Sequence, residues 1–91
     1  MPALDILVAD DHTLLRQGLC RILESQSGWR VVAQASTGHD AVRLALEHAP
    51  GVAILDIAMP MLNGIEATRQ LARQLPDLRV LILSMHAEEA Y

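Results

Sequence analysis

Ile6-Leu7-Val8-Ala9-Asp10-Asp11 reads as a buried strand that runs straight into two carboxylates. The same device recurs twice: Val52-Ala53-Ile54-Leu55 meets Asp56, and Val80-Leu81-Ile82-Leu83 meets Ser84. Neighbouring strands of a parallel sheet end on one edge, and open α/β folds bind ligands in the crevice there. Three carboxylates and a hydroxyl, scattered in sequence, are therefore expected to gather at one place.

The stretches around these runs alternate in kind. Leu4–Ala9 is the first strand. A helix is predicted over Thr13–Gln26, with Leu15, Leu19, Ile22 and Leu23 inward and Gly28 as its stop. Arg30–Ala35 is the second strand. It precedes a helix from Gly38 to Ala49 with Ala41, Val42, Ala45 and Leu46 inward, closed by Pro50. Val52–Asp56 is the third strand. Pro60 stiffens the loop that follows, and Asn63-Gly64 supplies flexible backbone before a helix over Gly64–Leu75. Arg79–Ser84 is the fourth strand, and Ala87–Tyr91 starts another helical turn.

Strict β-α alternation predicts an α/β fold: one domain over residues 1–91, with a doubly wound parallel sheet ordered 2-1-3-4. The second strand is mixed in character and suits an edge. The fourth is apolar on both faces and suits an edge poorly, because an open apolar edge invites pairing. The pattern therefore implies a fragment, or a domain completed by a partner chain.

At 91 residues and 52 % hydrophobic, the chain can build a single core. Aromatics are 2 %, Trp29 and Tyr91, so that core must be aliphatic. A net charge of −4 argues against direct nucleic-acid binding. All seven basic residues are arginine: Arg16, Arg21, Arg30, Arg43, Arg69, Arg73 and Arg79. The lone Cys20 allows no internal disulfide and fits a reducing cytosol. Met1 to Ala9 lacks a basic start and is broken by Asp5, unlike a leader peptide, and no apolar run nears the ~20 residues of a membrane helix. A cytoplasmic location with no membrane contact is the expectation.

Asp10-Asp11 could simply cap the next helix. Two adjacent acids exceed what one cap needs, however, and they stand at the reversal between the first and third strands. Asp56 could be a solvated loop acid, but it ends the neighbouring strand. At ~4 Å and an effective dielectric of ~20, each carboxylate pair costs up to ~4 kcal/mol before screening. A divalent cation removes that cost, and oxygen ligands point to Mg²⁺. Asp10, Asp11, Asp56 and the Ala58 carbonyl are the candidate ligands. Asp56 is the candidate nucleophile toward a phosphoryl group. Ser84, otherwise a turn former, could donate to a phosphoryl oxygen. His12 and His86 lie near the same rim and read as solvated loop histidines, with a transition-metal ligand as the alternative. His39 and His48 read as helix-surface residues.

These segments resemble the receiver domain of two-component response regulators. Ile-Leu-Val-Ala-Asp-Asp-His-Thr-Leu-Leu-Arg-Gln-Gly-Leu (6–19) looks like the NarL/FixJ (LuxR-type) subfamily. Leu55–Gly64 is similar to the phosphoacceptor loop, and Val80–Ser84 to the strand with the switch hydroxyl. The resemblance covers the whole chain. It implies a flavodoxin-like, CheY-like fold in which Asp56 is phosphorylated by a sensor histidine kinase or a small phosphodonor, with Mg²⁺ held by Asp10, Asp11, Asp56 and Ala58. It also implies a DNA-binding output downstream in the full-length regulator. The protein would be a signalling phosphoacceptor whose only chemistry is its own phosphoryl transfer.

Receivers also carry a lysine at the end of a fifth strand, after an aromatic switch residue. This sequence reaches Tyr91 within the expected fourth helix and contains no lysine. Arg79 starts its strand at the far edge, and Arg69 and Arg73 point away, so none replaces it. The expectation is Mg²⁺ binding with impaired phosphorylation. A second reading is a module that only associates with itself, through surface left open beside the fourth strand. A third, an aspartate-nucleophile phosphatase, lacks a visible general acid and substrate pocket.

Overall fold

A computed structural model describes residues 3–59 and 61–83. Four strands and three helices alternate: β1 (Leu4–Ala9), α1 (Thr13–Glu24), β2 (Trp29–Ala35), α2 (Gly38–His48), β3 (Val52–Asp56), α3 (Gly64–Gln74) and β4 (Arg79–Leu83). The strands form one parallel sheet ordered β2-β1-β3-β4. Ser84, His86 and the helical turn expected over Ala87–Tyr91 lie outside the described residues, as does Pro60.

Both faces of β1 are buried, as a central parallel strand requires. Leu7 and Ala9 face one core with Leu55, Ala41, Val42, Ala45, Ala67 and Leu71, so α2 and α3 cover that side. Ile6 and Val8 face the other with Ile54 and Cys20, under α1. Among the described residues no aromatic is buried, and Trp29 is exposed. No helix among the described residues is long and apolar enough to cross a membrane.

Two helix faces differ from the sequence reading. Leu19, Cys20 and Leu23 pack on the sheet, whereas Leu15 and Ile22 are exposed. At 100° per residue, the last two sit roughly a quarter-turn off the buried arc, and a single helix on one side of a sheet buries a narrow stripe. Leu46 is likewise exposed, because the small residues Ala41 and Ala45 bring the neighbouring arc of α2 against the sheet. The boundaries shift slightly. α1 stops at Glu24, β2 begins at Trp29, and α2 ends at His48 with Ala49 in the left-handed region (φ 46°). α3 ends at Gln74, with Leu75 as its C-cap.

The edges are also unlike each other. β2 carries a register shift opposite Ile6/Leu7 and polar residues, devices that protect an edge. β4, expected to be covered, is the other edge among the described residues, with Leu81 57 % and Ile82 40 % exposed. Its apolar pattern matches a central strand, but only β3 pairs with it here.

Candidate functional site

Strand register decides what meets at the carboxyl edge. Ala9 pairs with Leu55 on one side and with Ala35 on the other. The next residue beyond each partner of the first pair is Asp10 and Asp56. Both are 2 % exposed, the only buried charged residues among those described. One ligand atom each from Asp10, Asp11, His12 and Asp56 lies within 4.8 Å of all the others. The expected convergence of acids therefore exists, and Asp11 completes it from the exposed side.

The acids are held differently from a helix cap. His12, not an aspartate, is the N-cap of α1, and it makes no side-chain capping bond. Instead the His12 N–H donates to Asp10 Oδ1 at 2.8 Å, a tight turn that leaves the second carboxylate oxygen of Asp10 for other use. The Asp10 N–H donates to the Ala35 carbonyl at 3.0 Å, tying the loop to the end of β2. Asp56 Oδ1 accepts from the Ala58 N–H at 3.3 Å, which folds the loop back over its own strand end.

Glycine and asparagine set the other wall. Asn63 caps α3 by accepting from the Glu66 N–H at 2.9 Å. Gly64 is not needed for backbone freedom, because its φ is not positive. It is needed for space, since a Cβ there would collide with the Asp56 carbonyl. Gly38, opening α2, likewise leaves room for the Leu62 carbonyl. The residue that does take a left-handed backbone is Met61 (φ 70°). Met59 is buried and pins the loop to the core.

His12 is more than a solvated loop histidine. Its side chain is 58 % exposed, yet Nδ1 lies 3.1 Å from both Asp10 Oδ1 and Asp11 Oδ1. The hydrogen bond to Asp10, then the charge of Asp11, raise its pKa above the ordinary 6.5. His39 and His48 are exposed on α2, as expected.

One residue near the site escapes a reading by motif. Arg16, in the second turn of α1, sends Nη1 to the Asp10 carbonyl at 2.7 Å and Nε to Gln34 Oε1 at 3.1 Å. The available signal was positional. A long side chain early in a helix leans toward the N-terminus, and here that direction leads to Asp10. Arg69 pairs with Glu66 and Arg79 starts β4 beside Val52, so neither approaches the acids.

The donor set fits a hard dication. Two buried carboxylates and one exposed carboxylate, all oxygen, converge within the reach of a single ion. Like charges this close, two of them out of water, favour a counter-cation for simple Coulombic reasons.

Comparison with known proteins agrees with this geometry. Residues 6–91 match the family described as the response regulator receiver domain. The chain is 44 % identical over 88 residues to the transcriptional regulatory protein DegU of Brevibacillus brevis, covering 97 % of this chain and 37 % of that protein. It is 42 % identical over 85 residues to the response regulator UvrY of Escherichia coli K12, covering 93 % of this chain and 39 % of that protein. It superposes on the signal receiver domain of the response regulator NarL from Mycobacterium tuberculosis with a TM-score of 0.91 at 34 % identity, covering 99 % of this chain and 73 % of that one. The chain thus spans about two fifths of the length of the curated relatives it matches. None of these likenesses favours the reading as a pure self-association module.

Proposed function

Because the chain belongs to the response regulator receiver domain family, of the NarL/LuxR type, we propose that residues 1–91 form one phosphoacceptor unit in which Asp56 takes a phosphoryl group from the phosphohistidine of a sensor kinase. The observation that carries this reading is the cluster of Asp10, Asp11 and Asp56 at the ends of adjacent parallel strands. Asp10, Asp11, Asp56 and the Ala58 carbonyl would hold Mg²⁺, which supplies charge neutralisation at the phosphoryl oxygens.

The chain's own residues do the rest. An Asp56 carboxylate oxygen attacks phosphorus and forms an acyl phosphate. The bond from phosphorus to the imidazole nitrogen breaks, and the nitrogen keeps the electron pair. The buried position of Asp56 fixes its direction of attack. Ser84 follows the β4 residue Leu83, whose carbonyl accepts from the Ile57 N–H at 3.0 Å. In this reading its hydroxyl meets the phosphoryl group. DegU of Brevibacillus brevis is by name a transcriptional regulatory protein, and a transcriptional output is the reading we carry over to this receiver.

The test is direct. Mg²⁺ and acetyl phosphate should add one acid-labile phosphoryl mass, and Asp56→Asn should abolish it. A folded wild-type chain with no mass increase would refute the proposal.

A specific observation also favours self-association of the 91-residue chain. Among the described residues only β3 pairs with β4, and Leu81 and Ile82, on opposite faces of that strand, are both exposed. Burying apolar surface there at ~25 cal/mol per Å² would draw a second copy onto it.

A further inference from the structure

Asp10 is gripped at four points, one of them the His12 Nδ1, which lies 3.1 Å from its Oδ1. The Asp10 N–H donates to the Ala35 carbonyl at 3.0 Å. Its Oδ1 accepts from the His12 N–H at 2.8 Å. Its carbonyl accepts from Arg16 Nη1 at 2.7 Å. Apart from the ring of the neighbouring His12, the Arg16 grip is the only one made by a side chain, and the only one from within a helix. That side chain is braced in turn, because Arg16 Nε donates to Gln34 Oε1 at 3.1 Å, and Gln34 adjoins Ala35 on β2. One planar guanidinium therefore ties together α1, the Asp10 peptide and the end of β2.

We infer that Arg16 is a positioning residue for divalent-cation binding, fixing where Asp10 and Asp11 stand relative to Asp56. The inference rests on the reading of the acidic cluster as a Mg²⁺ site.

The geometry demands such a device. Asp10 lies past the last residue of β1 and before α1, so neither ladder nor helix holds its carbonyl. Among the described residues Arg16 makes no ion pair with Asp10, Asp11 or Asp56; it reaches the main chain instead. Arginine can bridge two acceptors in different directions with one rigid fork, whereas lysine presents a single point donor on a flexible stem.

Charge and position make opposite predictions. If Arg16 acted only through its field, it would repel an incoming cation, and removing its charge would tighten Mg²⁺ binding. If it acts by placing the Asp10 loop, both its neutral and its lysine replacements weaken binding.

The experiment uses the 91-residue chain, with Mg²⁺ alone as the probe. Mg²⁺ affinity is measured by calorimetry for wild type, Arg16→Lys, Arg16→Met and Gln34→Leu. Amide hydrogen exchange at His12 is measured in chelator for the same set. Both Arg16 variants are expected to weaken Mg²⁺ binding by roughly 10-fold or more, the range found for groups that orient metal ligands. Gln34→Leu, which keeps the charge and is a surface change, should weaken it less but in the same direction. Exchange at His12, whose N–H reports the Asp10 turn, should quicken while exchange in the body of α1 stays the same. Unchanged or tighter Mg²⁺ binding in Arg16→Met, or the same His12 exchange in all variants, would overturn the inference. If wild type binds no Mg²⁺, the metal reading itself fails. The exchange arm then decides the role of Arg16 alone: faster His12 exchange upholds the positioning, and equal exchange ends it. Should an Arg16 variant fail to fold, Gln34→Leu carries both measurements.

Discussion

Gly64 sits so close to the strand end bearing Asp56 that a methyl group on it would strike the Asp56 carbonyl, with the Ile57 Cα 3.0 Å away. The obstacles are backbone atoms of the acceptor residue and its neighbour, which cannot swing aside. Gly64→Ala is therefore expected to destabilise the fold by roughly 1–3 kcal/mol, as overpacking does. It should also slow phosphoryl uptake, because the carbonyl that must shift belongs to Asp56. Gly18 is the internal control. Nothing lies within 4 Å of where its Cβ would be, in the middle of α1. Gly18→Ala should stabilise by about 0.5–1 kcal/mol. Urea denaturation of both variants checks the pair, and equal effects in the two would contradict it.

Repulsion within the cluster gives a second expectation. In chelator, Asp56→Asn keeps an oxygen for the Ala58 N–H and removes one of three neighbouring charges. Its melting temperature should rise, with a gain well below the ~4 kcal/mol ceiling for an unscreened pair. Saturating Mg²⁺ should reverse the order by stabilising wild type more, about 2.7 kcal/mol at a hundredfold excess over Kd. A variant that melts lower than wild type in chelator would show that the acids do not strain the metal-free fold.

The sign of the His12 shift sets a pH dependence. Asp10 and Asp11 raise its pKa in the folded state. Protonated His12 therefore contributes stability that is fully present below the ordinary 6.5 and is lost as pH rises through the raised value. In chelator, the His12 ring resonance should titrate above 6.5, and Asp11→Asn should bring the midpoint down. A midpoint at or below 6.5 in wild type would contradict the arrangement of Nδ1 between two carboxylates.

Edge exposure predicts association. The solution mass of the 91-residue chain should increase with concentration, and Leu81→Lys should hold it monomeric, because charge on an edge strand discourages pairing. A wild-type mass independent of concentration would count against the β4 edge as a contact surface.

Much of this architecture is legible in the sequence. Apolar runs ending in Asp10 and Asp56 gave the strands, and β-α alternation gave their order, because both depend on local pattern and on the handedness of crossovers. What was illegible depends on partners. Leu15 and Leu19 are the same residue type, and only the position of the sheet decides which is buried. Leu81 looks like a core residue, but it is exposed, and among the described residues only β3 pairs with its strand. In sequence Gly64 looks like flexible backbone, whereas its role is clearance for the Asp56 carbonyl, a contact between residues eight apart. Arg16 carries no motif of its own, since it acts on a main-chain oxygen whose position only the folded loop defines.

The account stands on a single dication gathered by acids from separate strand ends. Following backbone amide resonances during a Mg²⁺ titration tests this most directly. The resonances of Asp10, Asp11, Asp56 and Ala58 should move together along one saturable curve, and Asp10→Asn should weaken the whole set at once. Independent curves at these residues, or saturable shifts confined to another part of the molecule, would contradict it.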